Sequence, residues 1–148
     1  MPEDQVSAIF AADSAPAAAT GNAFCLLSDM PSHGFFRFVK AQRYGRWWML
    51  KALKEELRGQ GMYEQMLRKE FEIAISLHHE GIVETVGMED VPGLGRCIVM
   101  EWVDGVTLAE WLSTHRSRSH KRMVLHQILD AMEYIHSRQV VHRDIKPS

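Results

Sequence analysis

The side chains best suited to chemistry lie at two places along the chain. One is the segment His142-Arg-Asp144-Ile-Lys146-Pro, in which a carboxylate stands among basic residues. The other is Lys51, at the end of the apolar segment Trp-Trp-Met-Leu-Lys, with Glu70 following 19 residues later. Transfer of a phosphoryl group requires a cation on the phosphates, metal ligands, and a carboxylate beside the attacking hydroxyl group. These residues are candidates for the first and the third requirement.

The spacing of Lys51 and Glu70 is informative only if the two residues lie on adjoining elements. A lysine in a strand and a glutamate on the next helix can form an ion pair, which points the ammonium group toward bound phosphates. Alone this signal is weak, because charged residues are mostly solvated and Glu56, Glu64 and Glu72 are rival carboxylates. The elements that position the pair must therefore be predicted first.

Short segments rich in β-branched, aromatic and long apolar residues are separated by turn residues, which predicts strands. The five predicted strands are Ala23–Met30, Phe35–Ala41, Trp47–Leu53, Ile82–Met88 and Arg96–Trp102. From Tyr63 to Leu77 the apolar residues recur every three or four positions, which predicts an amphipathic helix between the third and fourth strands. The Gly93-x-Gly95 pair is interpreted as a hairpin turn and not as a phosphate-binding loop.

The last third of the chain is predicted to be mainly helical. A short helix is expected from Thr107 to Leu112, with Thr107 and Glu110 forming a capping box. A longer amphipathic helix is expected from His120 to Ser137. The first 22 residues are rich in alanine, serine and proline and show no apolar period, so residues 1–22 are expected to form a disordered leader.

The composition limits the classes of partner. With 148 residues, 46% hydrophobic and 24% charged, the chain is typical of globular proteins, and a net charge of −2 gives no basic field that would favour nucleic acid. No apolar segment reaches the roughly 18 residues that a membrane-spanning helix requires, so no membrane segment is predicted. The two cysteines, Cys25 and Cys97, lack metal-ligand spacing and suit a reducing cytoplasm.

The segment from His142 to Pro147 resembles the catalytic loop of protein kinases, and a lysine two residues after the aspartate is its serine/threonine form. Two further segments are similar to the same family. Leu77-His-His-Glu-Gly-Ile-Val resembles a turn of these proteins, so the paired histidines are interpreted as a turn motif and not as a metal site. Cys97-Ile-Val-Met-Glu-Trp-Val-Asp-Gly resembles the strand and hinge that hold adenine.

The resemblance implies an α+β fold with a protein-kinase-like small lobe, made of a five-stranded antiparallel sheet and one helix. Residues 23–103 are expected to form this lobe and the hinge, and residues 104–148 the first helices and the catalytic loop of an incomplete large lobe. The implied activity is transfer of the γ-phosphoryl group of ATP to serine or threonine of a protein substrate, with Mg²⁺ as the metal cofactor.

The candidate site residues take their roles from their matches to this family. Lys51 and Glu70 match the paired lysine and glutamate, Asp144 matches the residue that orients the substrate hydroxyl group, and Lys146 matches the one that steadies the transferred phosphate. The candidate nucleotide contacts are Met100 as the gatekeeper, the backbones of Glu101 and Val103 on adenine, Met49 and Phe38 above the base, and Gly34 near the phosphates.

Three features depart from the family. The three glycines of the phosphate-covering loop fall in the segment Pro31–Phe36, where none is in its usual place and only Gly34 is nearby. Met49 and Phe38 are bulkier than the usual alanine and valine. No metal ligand is assigned in this sequence, since the asparagine and aspartate that bind Mg²⁺ in the family are expected beyond residue 148. The chain by itself is therefore expected to be an inactive fragment.

Two other functions remain open at this point. A noncatalytic kinase-like binding module is favoured by the missing glycines, and it would dock on a partner through the apolar face of the long helix. A small-molecule phosphotransferase of similar two-lobed fold is disfavoured, because such enzymes typically carry His-Gly-Asp where this chain has His142-Arg-Asp144.

Overall fold

The computed structural model describes residues 23–32, 34–114 and 117–146, so the predicted leader lies outside the described residues. In chain order the elements are β1 (Cys25–Met30), β2 (Phe36–Arg43), β3 (Arg46–Leu53), a 3-10 helix (Glu55–Leu57), α1 (Gly61–Ala74), β4 (Thr85–Val91), β5 (Gly95–Glu101), α2 (Leu108–Ser113) and α3 (Arg118–Ser137). The strands form one sheet in the order β1-β2-β3-β5-β4, and all neighbours are antiparallel. The predicted α+β class with a five-stranded antiparallel sheet is confirmed.

Helix α1 ends earlier than its apolar period predicts. The prediction covered residues 63–77, whereas the helix runs from Gly61 to Ala74. The hydroxyl group of Ser76 donates to the carbonyl oxygen of Ile73 at 2.7 Å. Such a side-chain bond competes with the backbone bonds of a continuing helix, and the last three predicted residues leave it.

Strand β4 begins later than predicted for a similar local reason. The expected strand covered residues 82–88, whereas the structure has Thr85–Val91. The N–H group of Ile82 donates to the carbonyl oxygen of His79 at 3.0 Å and closes a turn. The backbone of Ile82 is therefore used in that turn and is not part of the sheet.

Both C-terminal helices start at side-chain caps. Thr107 accepts a bond from the N–H group of Glu110 at 3.2 Å, and the Glu110 carboxylate accepts one from the Thr107 N–H group at 2.7 Å. This confirms the predicted capping box. Helix α3 starts at Arg118, two residues earlier than predicted, because the Ser117 hydroxyl group accepts a bond from the N–H group of His120 at 3.3 Å.

Apolar side chains fill both faces of the sheet. One cluster consists of strand and hairpin residues: Val39, Ala41, Leu50, Ala52, Val91, Leu94, Cys97 and Val99, with Phe24 and Trp48 against them. The other joins the sheet to α1, with Leu67 of the helix fully buried against Leu53 and Ile98. Burial of one such side chain contributes about 1.5–3 kcal/mol. This second cluster therefore holds α1 over β3 and β5.

The turn between α1 and β4 attaches the sheet to α3. The N–H group of His78 donates to the hydroxyl oxygen of Tyr134 at 2.8 Å, and Nε2 of His79 lies 3.1 Å from Oδ2 of Asp130. Nδ1 of His79 accepts a bond from the N–H group of Gly81 at 3.0 Å. The paired histidines thus belong to a turn, as predicted.

Helix α3 keeps much of its apolar surface exposed. Ile135 is its buried residue, whereas Met123, Leu125 and Leu129 are 52%, 55% and 54% exposed. The described residues therefore leave the side of this helix that carries Met123, Leu125 and Leu129 uncovered. None of the helices within these ranges is both long and apolar enough to cross a membrane.

Candidate active site

Lys51 of β3 and Glu70 of α1 form an ion pair through Nζ and Oε1. The packing of the two elements explains why these residues meet. Lys51 lies two residues before Leu53 on the same strand face, and Glu70 lies one helical turn after Leu67. Because Leu53 and Leu67 share one core cluster, the two charged groups are brought together beside it. The lysine side chain is 12% exposed and the glutamate side chain 39%, so the ammonium group is the more buried partner.

Two aromatic rings complete the surroundings of the ammonium group. Nζ of Lys51 lies 4.0 Å from the ring centroid of Phe36 and 5.4 Å from that of Phe38. Both distances are within the range of cation–π attraction, about 6 Å. Phe38 is directly opposite Lys51 in the pairing of β2 with β3. The contact with Phe36 was not predicted, because this register is not visible in the sequence.

The residues predicted to lie above adenine share one face of the sheet with Lys51. Met49 is two residues before Lys51 on β3 and is directly opposite Met100 on β5. Phe38 is on the same face, since it pairs directly with Lys51. Four predicted site residues, Phe38, Met49, Lys51 and Met100, are therefore neighbours on one surface. Their contacts with a nucleotide stay a prediction.

The predicted hinge begins where β5 ends. The N–H group of Glu101 donates to the carbonyl oxygen of Glu84 at 3.0 Å, and its carboxylate accepts the N–H group of Glu84 at 2.9 Å. Val103, two residues further on, is 59% exposed. Glu84, the residue before β4, thus anchors Glu101 through both its backbone and its side chain, while Val103 is accessible.

A lysine between two tryptophans connects the sheet to this hinge. Nζ of Lys40 lies 4.5 Å from the ring of Trp47 and 4.3 Å from the ring of Trp102, the residue between Glu101 and Val103. This contact was not predicted either. The tryptophans are far apart along the chain, and only the pairing of β2 with β3 and of β3 with β5 brings them to the same lysine.

The turn before β2 is attached to the helix. Gly34 has a φ of +75°, the left-handed conformation that glycine adopts without steric cost. The next ring, Phe35, lies 5.1 Å from that of Tyr63 on α1, and the Phe35 carbonyl oxygen accepts the N–H group of Lys54 at 3.0 Å. Phe35, within the segment predicted to cover the phosphates, therefore contacts α1 and the residue that follows β3.

Residues 142–146 of the predicted catalytic loop are exposed. Nζ of Lys146 is 3.3 Å from Oδ2 of Asp144, and the two side chains are 57% and 72% exposed. The N–H group of Asp144 donates to Nδ1 of His142 at 3.3 Å, and Arg143 has a φ of +63°. A non-glycine residue in this conformation costs about 1–3 kcal/mol and is frequent at functional sites. No hydrogen bond or ion pair among the described residues links this segment to the Lys51–Glu70 pair.

Potential metal ligands are dispersed in the described part of the chain. Within residues 23–32, 34–114 and 117–146, no group of three or more histidine, cysteine, aspartate or glutamate side chains could hold a metal ion.

The sheet order, the helix over it and the lysine–glutamate pair are those of the small lobe of a kinase fold. A family model described as protein kinase domain matches residues 33–148. Two curated relatives are a probable serine/threonine-protein kinase of Streptomyces coelicolor, 37% identical over 111 residues, and the serine/threonine-protein kinase PrkC of Bacillus subtilis, 32% identical over 100 residues. The chain therefore belongs to the serine/threonine protein kinase family.

The similarity covers much of this chain but little of the relatives. The two alignments span 72% and 66% of this chain, and 16% and 15% of the relatives. The kinase domain of PknI from Mycobacterium tuberculosis matches with a TM-score of 0.63 at 21% identity, over 84% of this chain and 52% of that domain. The structural likeness supports the fold, and the chain spans about one sixth of the length of the curated relatives.

Proposed function

We propose that this chain is part of an enzyme that transfers the γ-phosphoryl group of ATP to serine or threonine hydroxyl groups of a protein substrate. The observation that carries the proposal is the Lys51–Glu70 ion pair. A part-buried ammonium group, held by a carboxylate on a neighbouring helix, is suited to bind phosphate oxygens. Met49 and Met100 lie beside it on the same sheet face and offer an apolar surface to a base.

In this proposal each site residue has a defined task. Lys51 binds the nucleotide phosphates and Glu70 keeps its ammonium group in place. Asp144 orients the attacking hydroxyl group, and Lys146 steadies the phosphoryl group in transfer. The backbones of Glu101 and Val103 hydrogen-bond adenine, Met49, Phe38 and Met100 surround it, and Gly34 lies near the phosphates. Mg²⁺ accompanies ATP and supplies charge neutralisation there.

We also propose that a polypeptide of residues 1–148 does not turn over ATP alone. Asp144 and Lys146 are exposed and paired with each other in the described structure, which supports this view. Residues 23–103 are assigned to the small lobe and hinge and residues 104–148 to the start of the large lobe. A reducing cytoplasm is the proposed location, and the two free cysteines, Cys25 and Cys97, are compatible with it.

Nucleotide binding is the first test. A fluorescent ATP analogue is titrated into the chain and into two variants, Lys51→Met and Lys69→Met. Lys69 is the matched control, since it is an exposed lysine on α1 next to Glu70. We expect Lys51→Met to weaken binding and Lys69→Met to leave it unchanged. Equal binding by all three proteins would contradict the assignment of Lys51.

Phosphate transfer is the second test. The chain is fused to the remaining large lobe of a related serine/threonine kinase, and incorporation of labelled phosphate from ATP into a generic substrate is measured. Removal of one key electrostatic contact in an active site lowers the rate by about 10²–10³. Asp144→Asn should therefore abolish detectable transfer, and unchanged activity would exclude the proposed role of Asp144.

A second candidate function is a noncatalytic binding module. It is favoured by the Phe36 ring against Lys51, where the family has a glycine, and by the exposed Leu125 and Leu129 of α3. The same titration discriminates between the two functions. A docking module does not require nucleotide, so saturable, Lys51-dependent binding of the ATP analogue would argue against it.

A further inference from the structure

The ammonium group of Lys51 is enclosed by side chains of its own chain. Glu70 accepts one of its hydrogen bonds, and the Phe36 ring centroid lies 4.0 Å from Nζ. The lysine side chain is only 12% exposed. Ligand oxygens therefore have restricted access to this cation, and the Phe36 ring is one of the groups that restrict it.

The Phe36 ring is held in this position by packing against the core and by a backbone bond of the residue before it. It lies against the core cluster of Leu53, Leu67 and Ile98. The residue before it is also anchored, since Phe35 bonds to the backbone of Lys54 through its carbonyl oxygen. The contact with Lys51 is thus built into the start of β2 and is not a chance position of an exposed side chain.

We propose that Phe36 competes with the nucleotide phosphates for Lys51 and so reduces the preference of the site for ATP over adenosine. This inference rests on the proposed function. A cation over an aromatic face is attracted by the electrons of the ring. A phosphate oxygen has to replace part of that contact to reach the ammonium group, whereas the base and ribose bind elsewhere on the sheet face. Phe36 is therefore a specificity-determining residue that acts on the phosphate end of the ligand.

The test compares two ligands on the full 148-residue chain. Affinities for adenosine and for ATP are measured by isothermal titration calorimetry with the wild type and with Phe36→Leu. Leucine keeps apolar volume against the core but has no ring face. The energy of a cation–π contact corresponds to roughly a 2- to 30-fold change in affinity. We expect the ratio of ATP affinity to adenosine affinity to rise by that factor, with adenosine affinity unchanged.

Two controls separate competition for Lys51 from a general change of the pocket. Phe38→Leu alters a ring that is assigned to adenine and lies farther from Nζ, at 5.4 Å, so it should change both affinities and alter their ratio by less than Phe36→Leu does. In a Lys51→Met background, Phe36→Leu should leave the affinity ratio unchanged. If adenosine binds but the ratio of ATP affinity to adenosine affinity is the same in the wild type and in Phe36→Leu, this inference alone is overturned. Failure of every variant to bind either ligand would overturn the proposed function as well.

A measurement without nucleotide tests the contact itself. Lysines of the wild-type chain are ¹³C-dimethylated, which keeps their charge, and the Lys51 signal is assigned by its loss in Lys51→Met. Because the ammonium group faces the Phe36 ring, the ring current should move this signal upfield relative to exposed lysines. Phe36→Leu should return it toward their position. A Lys51 signal at the position of an exposed lysine in the wild type would refute the proposal.

Discussion

The Lys51–Glu70 pair should respond unequally to the loss of its two partners. Glu70→Gln leaves a part-buried ammonium group without its carboxylate, because Lys51 is 12% exposed. Lys51→Met leaves a carboxylate that is 39% exposed and can be hydrated. The new methionine also fits the apolar surroundings of Phe36 and Phe38. The glutamate substitution should therefore cost more free energy of unfolding than the lysine substitution.

The expected sizes follow from the exposure of the pair. An exposed ion pair contributes about 0–1 kcal/mol, whereas removing one partner of a fully buried pair costs about 3–5 kcal/mol. Lys51 lies between these cases, so we expect Glu70→Gln to lower the free energy of unfolding by about 1–3 kcal/mol. We expect Lys51→Met to change it by less than about 1 kcal/mol in either direction. The double variant should resemble Lys51→Met, since no unpaired ammonium group remains.

Urea unfolding followed by tryptophan fluorescence measures these differences, since the chain contains four tryptophans. The urea midpoints of the variants are compared. The slope of unfolding free energy against urea concentration must be the same in all of them, because an equal slope shows that the same surface is exposed on unfolding. A Lys51→Met variant that loses as much stability as Glu70→Gln would refute the reasoning. That result would mean that the ion pair itself stabilises the fold, so that its presence would not be explained by a role in ligand binding alone.

Four further predictions concern the scaffold. Leu67→Ala should cost about 2–5 kcal/mol of unfolding free energy in the same assay, whereas Leu67→Met should cost less than about 1.5 kcal/mol. Thr107→Ala should remove the cap of α2 and cost about 1 kcal/mol, with Thr107→Ser close to the wild type. Burial raises the pKa of the Cys97 thiol from 9.0 to about 12. Because the unfolded chain loses this proton at lower pH than the folded chain does, the free energy of unfolding should decrease as pH rises from 9 toward 12. Cys97→Ala should make that decrease smaller. At about pH 8, below the ordinary thiol pKa, a thiol reagent should modify half-buried Cys25 in the folded chain and modify Cys97 only in denaturant; rapid reaction of both would contradict this burial.

The elements of the fold could largely be predicted because their patterns are local. Every predicted strand and helix is present, and apart from the short 3-10 helix Glu55–Leu57, which was not predicted, the errors are confined to boundaries. At those boundaries single hydrogen bonds decide, such as the bond of Ser76 to Ile73 and the turn of Ile82 on His79. A hydrophobic period extends over many residues and predicts that an element exists. It does not predict the single hydrogen bond at which the element ends.

The site was predictable in its residue types and in the Lys51–Glu70 pair, but not in the aromatic rings around that pair. Spacing and the resemblance selected Glu70 among several glutamates, and the rotation of α1 is the physical reason why Glu70 meets Lys51. That rotation follows from the burial of Leu67 against the sheet, a long-range contact.

The family, the order of strands and helices along the chain, and the candidate residues for phosphoryl transfer were thus available from the sequence. Two contacts became visible in the folded chain alone: the Phe36 ring on Lys51, and the two tryptophans on Lys40. Both contacts arise from strands that pair in the order β1-β2-β3-β5-β4. Strand register and helix rotation are set by how the whole core packs, and no local segment contains that information.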